Sequence, residues 1–130
     1  MIDKVTKNDY FKAISPKFSA YVISSAGTGK TKILVDRILL LMLSGIPNKN
    51  ILCLTFTNAA AIEMQERILV KLQAWQKNIQ IEQSLLDMMP GPIPKKYVTY
   101  ASKLLDNYCS SPIKIQTIHS FCQNILKYFP

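Results

Sequence analysis

The chain has 130 residues, is 48% hydrophobic and carries a formal net charge of +8. That length and apolar content exclude a disordered chain and suit one domain with its own core. The basic balance favours polyanionic partners, nucleic acid first. The lysines are nevertheless scattered, with only Lys95 and Lys96 adjacent, and a solvated Lys-rich surface explains the charge equally well. Cys53, Cys109 and Cys122 are odd in number and lack metal-site spacing, which reads as a reducing, cytosolic chain. The N-terminus has no apolar signal core. The longest apolar block, Ile38 to Leu43, is too short to span a bilayer, so no membrane association is expected.

Residues 1–19 are polar and mixed and read as a short helix or arm broken near Pro16. A first strand is predicted over 20–24 and a helix from Lys30 to Ser44. That helix is apolar on nearly all sides and is expected to be buried, with Gly45 and Pro47 ending it. Ile51 to Thr55 reads as a parallel strand covered on both faces. The next helix starts near Asn58 as N-cap, with Met64, Ile68, Leu72 and Trp75 on one face. A short helix is predicted over 79–88, and Pro90 to Pro94 excludes regular structure. Val98 to Asn107 reads as one further helix. Ile113 to Gln116 reads as a third strand, followed by a helix over 120–128 capped by Ser120. Strands alternating with helices indicate a parallel α/β sheet.

Between the first strand and the first long helix lie Ser24, Ser25, Ala26, Gly27, Thr28, Gly29, Lys30 and Thr31. Small residues at that position let backbone N–H groups curl around a phosphate, and the helix N-terminus faces the anion. Lys30 is placed to reach the terminal phosphates of ATP and Thr31 to ligate Mg²⁺. The full pattern wants Gly where Ser24 stands. An ordinary strand–loop–helix corner is the alternative reading. The strand ending at Thr55 runs into Phe56, Thr57 and Asn58, and the last strand into Thr117, Ile118 and His119. Both junctions sit at strand C-termini, where ligands bind in open α/β sheets. Phe56 is suited to stacking on a base or to core packing. On spacing alone, His119 reads as a capping or core side chain.

The three segments resemble, in order, motifs of the UvrD/Rep group of superfamily 1 helicases. Ser25 to Thr31 is similar to motif I. Leu54 to Ala60 with Glu63, Met64 and Arg67 is similar to motif Ia, and Gln116 to Cys122 to the next DNA-contacting motif. Their wording is closest to the AddA-type subunit of double-strand-break repair helicase–nucleases. The resemblance implies a partial P-loop, RecA-like parallel sheet flanked by helices and lacking later strands. It divides the chain into a leader (1–19), the P-loop and motif Ia (20–76), a helical insert (77–112) and the third motif (113–130). It implies ATP and Mg²⁺ as cofactors. Phe56, Thr57, Asn58, Thr117 and His119 are the implied single-stranded-DNA contacts.

Departures from that pattern bear on activity. The family reads adenine with a Gln upstream of the phosphate loop, whereas this chain has no Gln before Gln65, and Tyr10 or Phe11 lies near the expected place. The family supplies Mg²⁺ ligation and water orientation from an adjacent Asp–Glu pair, and no two of the eight acidic residues here are adjacent. Asp87 is a weak substitute, ahead of the third motif rather than after it. Arg37 and Arg67 match no arginine-finger motif. The chain therefore reads as the first part of a helicase motor domain, expected neither to unwind DNA nor to hydrolyse ATP appreciably. A disrupted reading frame, or one piece of a split protein completed by the remaining part or by a nuclease subunit, fits the same residues. So does a non-catalytic basic nucleic-acid-binding or regulatory module. A stand-alone NTP-binding enzyme such as a kinase would need its own acidic site.

Overall fold

The computed structural model describes residues 6–23 and 29–129. Among them are seven α-helices and one two-stranded parallel sheet. Thr6 caps helix α1 (Lys7–Ile14) through its side chain, which accepts from the Asp9 N–H. Helix α2 (Lys30–Leu43) follows, with Gly29 as its left-handed N-cap at φ 92°. Gly45, at φ 82°, ends it. The Gly45 N–H donates to Met42 O and the Ile46 N–H to Leu41 O, so the last carbonyls of α2 are satisfied by a Schellman turn. Strand β1 (Leu52–Thr55) leads into α3 (Asn58–Gln76). Helices α4 (Ile81–Met88), α5 (Lys95–Ala101) and α6 (Leu104–Ser110) fill the long crossover. Strand β2 (Lys114–Thr117) then runs parallel to β1, and α7 (Ile118–Leu126) follows it.

Side chains alternate across the strands. Cys53, Thr55, Ile115 and Thr117 are buried, whereas Leu52 and Leu54 face outward and remain exposed. Helix α3 packs on both strands. Its stripe of Ala61, Met64, Ile68, Leu72 and Trp75 is buried at helical spacing. Met64 Sδ lies 3.6 Å from Cys53 Sγ, and Gln65 donates to Ile115 O. Burial pushes the Cys53 thiol pKa up, which favours a neutral core side chain over a reactive one.

Several sequence expectations are corrected. The segment predicted as a first strand forms none over its described residues 20–23, and Tyr21 is 90% and Ile23 82% exposed. A strand needs an edge to pair with, and among the described residues β1 and β2 pair only with each other. Ser24 lies outside the described residues. Among the described residues the sheet therefore has two strands rather than three, and β1 is covered by α3 on one face and only partly, by α7, on the other. Leu34 is exposed, so α2 is not buried all round. Thr57, not Asn58, caps α3, because its hydroxyl reaches the Ala60 N–H. The helix expected over Val98 to Asn107 is two helices. Ser102 Oγ donates to Thr99 O and the Lys103 N–H to Tyr100 O, which tightens the chain into a turn there. Thr117, not Ser120, caps α7, and its hydroxyl accepts from the Ser120 N–H.

The leader helix is fastened to α2 by polar contacts that composition does not reveal. Tyr10 donates its hydroxyl proton to Asp36. Lys32 Nζ donates to Tyr10 Oη at 2.6 Å and to Asp36 Oδ2 at 2.8 Å. Arg37 donates to the carbonyls of Ala13, Ser15 and Phe18, so its guanidinium holds the end of α1 and the segment that follows it. Burial and the hydrogen bond to Asp36 raise the Tyr10 pKa to about 12. Burial pulls the Lys32 pKa down, but its bonds to Asp36 and Tyr10 outweigh that and leave it raised.

Both groups bind a proton more tightly folded than unfolded. Their stabilisation is full below pH about 10 and is lost as pH rises towards about 12. Allowing for solvent screening of a half-exposed group, the Tyr10 share is about 1 kcal/mol. Urea midpoints measured from pH 8 to 12 should therefore fall over the upper part of that range. Tyr10→Phe should start lower and fall less. Parallel curves for the two proteins would contradict the latch.

Candidate functional site

The parallel register decides where the second and third sequence motifs meet. Thr55 is paired with Thr117, so both strands end at the same level. Phe56, Thr57 and Asn58 leave β1 at that edge, and Ile118 and His119 leave β2 beside them. One α-helix begins on each strand end, so two helix N-termini stand at a common edge of the sheet. Such an edge offers unpaired N–H groups and the positive end of each helix dipole.

The side chains there divide into holders and presenters. Thr55 Oγ1 donates to Thr57 O at 3.0 Å and braces the junction. Thr57 and Thr117 accept from Ala60 N and Ser120 N respectively, each at 3.1 Å. Thr117 is buried, and it also donates to Ser120 Oγ at 2.9 Å. Its hydroxyl is thus committed to starting α7. Phe56 is 91% exposed, which rules out the core-packing reading. Asn58 and His119 are exposed as well, so His119 is neither a core side chain nor the cap of α7.

The phosphate-loop candidates are only partly in view. Ser24, Ser25, Ala26, Gly27 and Thr28 lie outside the described residues. Gly29 and Lys30 are exposed and Thr31 is half-buried at the start of α2. Its N-cap Gly29 has no side chain, and among the described residues no side chain caps the first N–H groups of this helix. That arrangement fits a phosphate. It does not supply a metal-binding carboxylate. Asp36 is engaged by Tyr10 and Lys32, and Asp87 sits in α4 rather than at a strand end and accepts from Gln83. Among the described residues no cluster of three His, Cys, Asp or Glu side chains could hold a metal ion. Arg67 pairs with Glu63 at 2.7 Å on the surface of α3.

A groove of about 660 Å³ between α2, α3 and α4 lies apart from the strand-end edge. Lys32, Asp36, Glu66 and Arg67 line it with both signs of charge, and no single ligand class is favoured there. Sequence reasoning missed the Tyr10–Lys32–Asp36 set. Lys32 and Asp36 are spaced i, i+4 on a helix, which was the available signal. Among the described residues no helix is long and apolar enough to cross a membrane.

Comparison with known proteins agrees with the motif order. The family described as UvrD/REP helicase N-terminal domain matches residues 7–130. The chain is 38% identical over 122 residues to the AddA subunit of the ATP-dependent helicase/nuclease of Lactobacillus johnsonii, covering 94% of this chain and 8% of that protein. The Lactobacillus gasseri protein of the same name is 39% identical over 108 residues, 83% of this chain and 8% of its own length. That of Clostridium kluyveri is 32% identical over 136 residues, 98% of this chain and 9% of its own length. No solved structure matches. The chain thus spans under a tenth of the length of these relatives, and it belongs to the UvrD/REP helicase N-terminal domain family.

Proposed function

We propose that this chain is the ATP-binding and single-stranded-DNA-contacting portion of an AddA-type DNA repair helicase, built on a partial P-loop sheet. The observation that carries the reading is the Thr55–Thr117 register, which sets Phe56, Thr57 and Asn58 beside His119 at one sheet edge. Hydroxyls, helix N-termini and an imidazole hold a phosphate backbone there, and Phe56 stacks on a base. Thr117 acts by fixing the start of α7 and so the place of His119. Lys30 and the loop from Ser24 to Gly29 hold the ATP phosphates, with Thr31 directed to Mg²⁺. Bound Mg²⁺ would neutralise phosphate charge. Asp36, the acidic side chain of α2, is already engaged by Tyr10 and Lys32, and we read this portion as binding nucleotide without appreciable turnover and without unwinding DNA. The relatives are named as subunits, which supports a partner polypeptide such as a nuclease subunit or the remaining part of a helicase.

Fluorescence anisotropy with a labelled oligothymidine tests the edge. The wild type should bind with an affinity that falls linearly with salt on a logarithmic plot. His119→Ala should weaken binding by about tenfold or more, the loss of one hydrogen bond to a charged group. Unchanged affinity in His119→Ala would contradict the assignment.

A further inference from the structure

Arg37 stands on α2 about two turns past Lys30, and its guanidinium reaches back to the segment that precedes the candidate phosphate loop. Nη1 donates to Ala13 O at 2.8 Å and to Ser15 O at 3.0 Å, and Nη2 to Phe18 O at 2.6 Å. The first two carbonyls lie at the end of α1, where helix carbonyls lack intrahelical partners and a cation is favoured. Capping alone would stop there. Phe18 lies beyond the turn at Pro16 and Lys17, on the stretch that runs toward Gly29 and Lys30. The third bond therefore ties the chain entering the candidate loop to the helix leaving it. Ile14 is fully buried and Tyr10 is bonded to Asp36, so α1 is fastened to α2 beside this clamp. A planar guanidinium suits the task, because its fork of donors keeps a fixed geometry across several acceptors.

We infer that Arg37 is a positioning residue for nucleotide binding, holding the incoming segment so that phosphate meets a preorganised N-terminus of α2. This inference rests on the nucleotide reading given above. It gives Arg37 no contact with the nucleotide. The guanidinium is engaged by backbone carbonyls, and Arg37 stands about 10 Å along the helix axis from Lys30. Its effect is conformational. A segment already tied at Phe18 has fewer arrangements to lose when an anion is bound. Releasing the tie moves that ordering cost into the binding step. Freeing one backbone residue that binding must order again weakens affinity by about tenfold. The Tyr10–Lys32–Asp36 set fastens the body of α1 instead and leaves the Phe18 tie in place. The two sets therefore separate: Tyr10 acts on the docking of α1, and Arg37 acts on nucleotide affinity as well.

The test is calorimetric titration of the full chain with Mg-ATP and with magnesium tripolyphosphate, at a temperature where circular dichroism shows every variant folded. Lys30→Ala sets the baseline for the site itself. Arg37→Ala should weaken both ligands by about tenfold. Arg37→Lys keeps the charge but not the fork, and should weaken them by about threefold. Tyr10→Phe should bind as the wild type does, although it is less stable. A merely structural role would lower the melt and leave the affinity of the folded protein alone. Wild-type affinity in both Arg37 variants, with binding still lost in Lys30→Ala, would overturn this inference and leave the nucleotide reading intact. An equal loss in Tyr10→Phe would overturn it too, since general loosening of α1 would then be the cause. So would a loss for Mg-ATP alone, which would place the effect of Arg37 at the base rather than the phosphates. Absence of binding in the wild type would remove the nucleotide reading and this inference together. Should Arg37→Ala not fold, Arg37→Lys decides by the same outcomes.

Discussion

Trp75→Ala is expected to lower the stability of this chain by about 3–5 kcal/mol, a large part of the about 5–15 kcal/mol that holds a domain folded. Trp75 is fully buried near the C-terminal end of α3, on the stripe with Ile68 and Leu72. Removing the indole deletes apolar contact area and leaves a cavity that a close-packed interior fills only in part. One atom runs against that stabilisation. The Trp75 Nε1–H is buried without a hydrogen-bond acceptor. An orphaned donor of this kind costs about 1–3 kcal/mol. Trp75→Phe keeps one aromatic ring and removes the orphan, so its loss should be less than half that of Trp75→Ala. Urea unfolding of the three proteins measures both differences. A Trp75→Ala protein within about 1 kcal/mol of wild type would show that α3 does not anchor the core.

Phe56→Ala should separate function from stability in the opposite sense. Phe56 follows the last residue of β1 and lies almost wholly in solvent, so its removal should leave the melt unchanged within about 0.5 kcal/mol. Single-stranded-DNA affinity should nevertheless fall by about 1–3 kcal/mol, the worth of one base stacked on an aromatic side chain. Phe56→Tyr should keep most of it, because a phenol ring stacks as a phenyl ring does. Salt dependence should be unaltered, since no phosphate contact is lost. Oligothymidine titration across a salt series reads all of this at once. A steeper change in salt slope than in affinity would assign Phe56 an indirect effect on the backbone contacts instead.

The residues that made the elements legible were those with local physical consequences. Gly45 and the apolar stripe from Met64 to Trp75 announce the end of α2 and the buried face of α3 without reference to anything distant. The alternation around Ile115 announces β2. Misreadings fell where a partner decides. Ala20 to Ile23 has strand composition, yet β1 and β2 take each other as partners and leave it unpaired. Ser102 breaks the Val98–Asn107 helix through a side-chain bond that composition does not encode. Asn78, at φ 57°, closes α3 with its N–H donating to Trp75 O, a left-handed C-terminal signal that the polar stretch around it concealed.

The site was legible to the same degree. Sequence placed Phe56, Thr57 and His119 at strand ends by local pattern. Bringing them to one edge required the register, which is a long-range pairing between β1 and β2. The partnerships of Tyr10 and Arg37 are likewise long-range. Nothing near either residue specifies a partner on another helix, and both were read only for what they failed to match.

The central claim, that this chain binds ATP phosphates through Lys30, is tested most directly by thermal melts with and without Mg-ATP, in wild type and in Lys30→Ala. Ligand binding to the folded state alone stabilises by about 2.7 kcal/mol at a hundredfold excess over the dissociation constant. For a chain of this size that is an upward shift of roughly 10 °C. The account predicts that shift in the wild type and none in Lys30→Ala, with equal melts when nucleotide is absent. Equal shifts in both proteins, or no shift in the wild type, would contradict it.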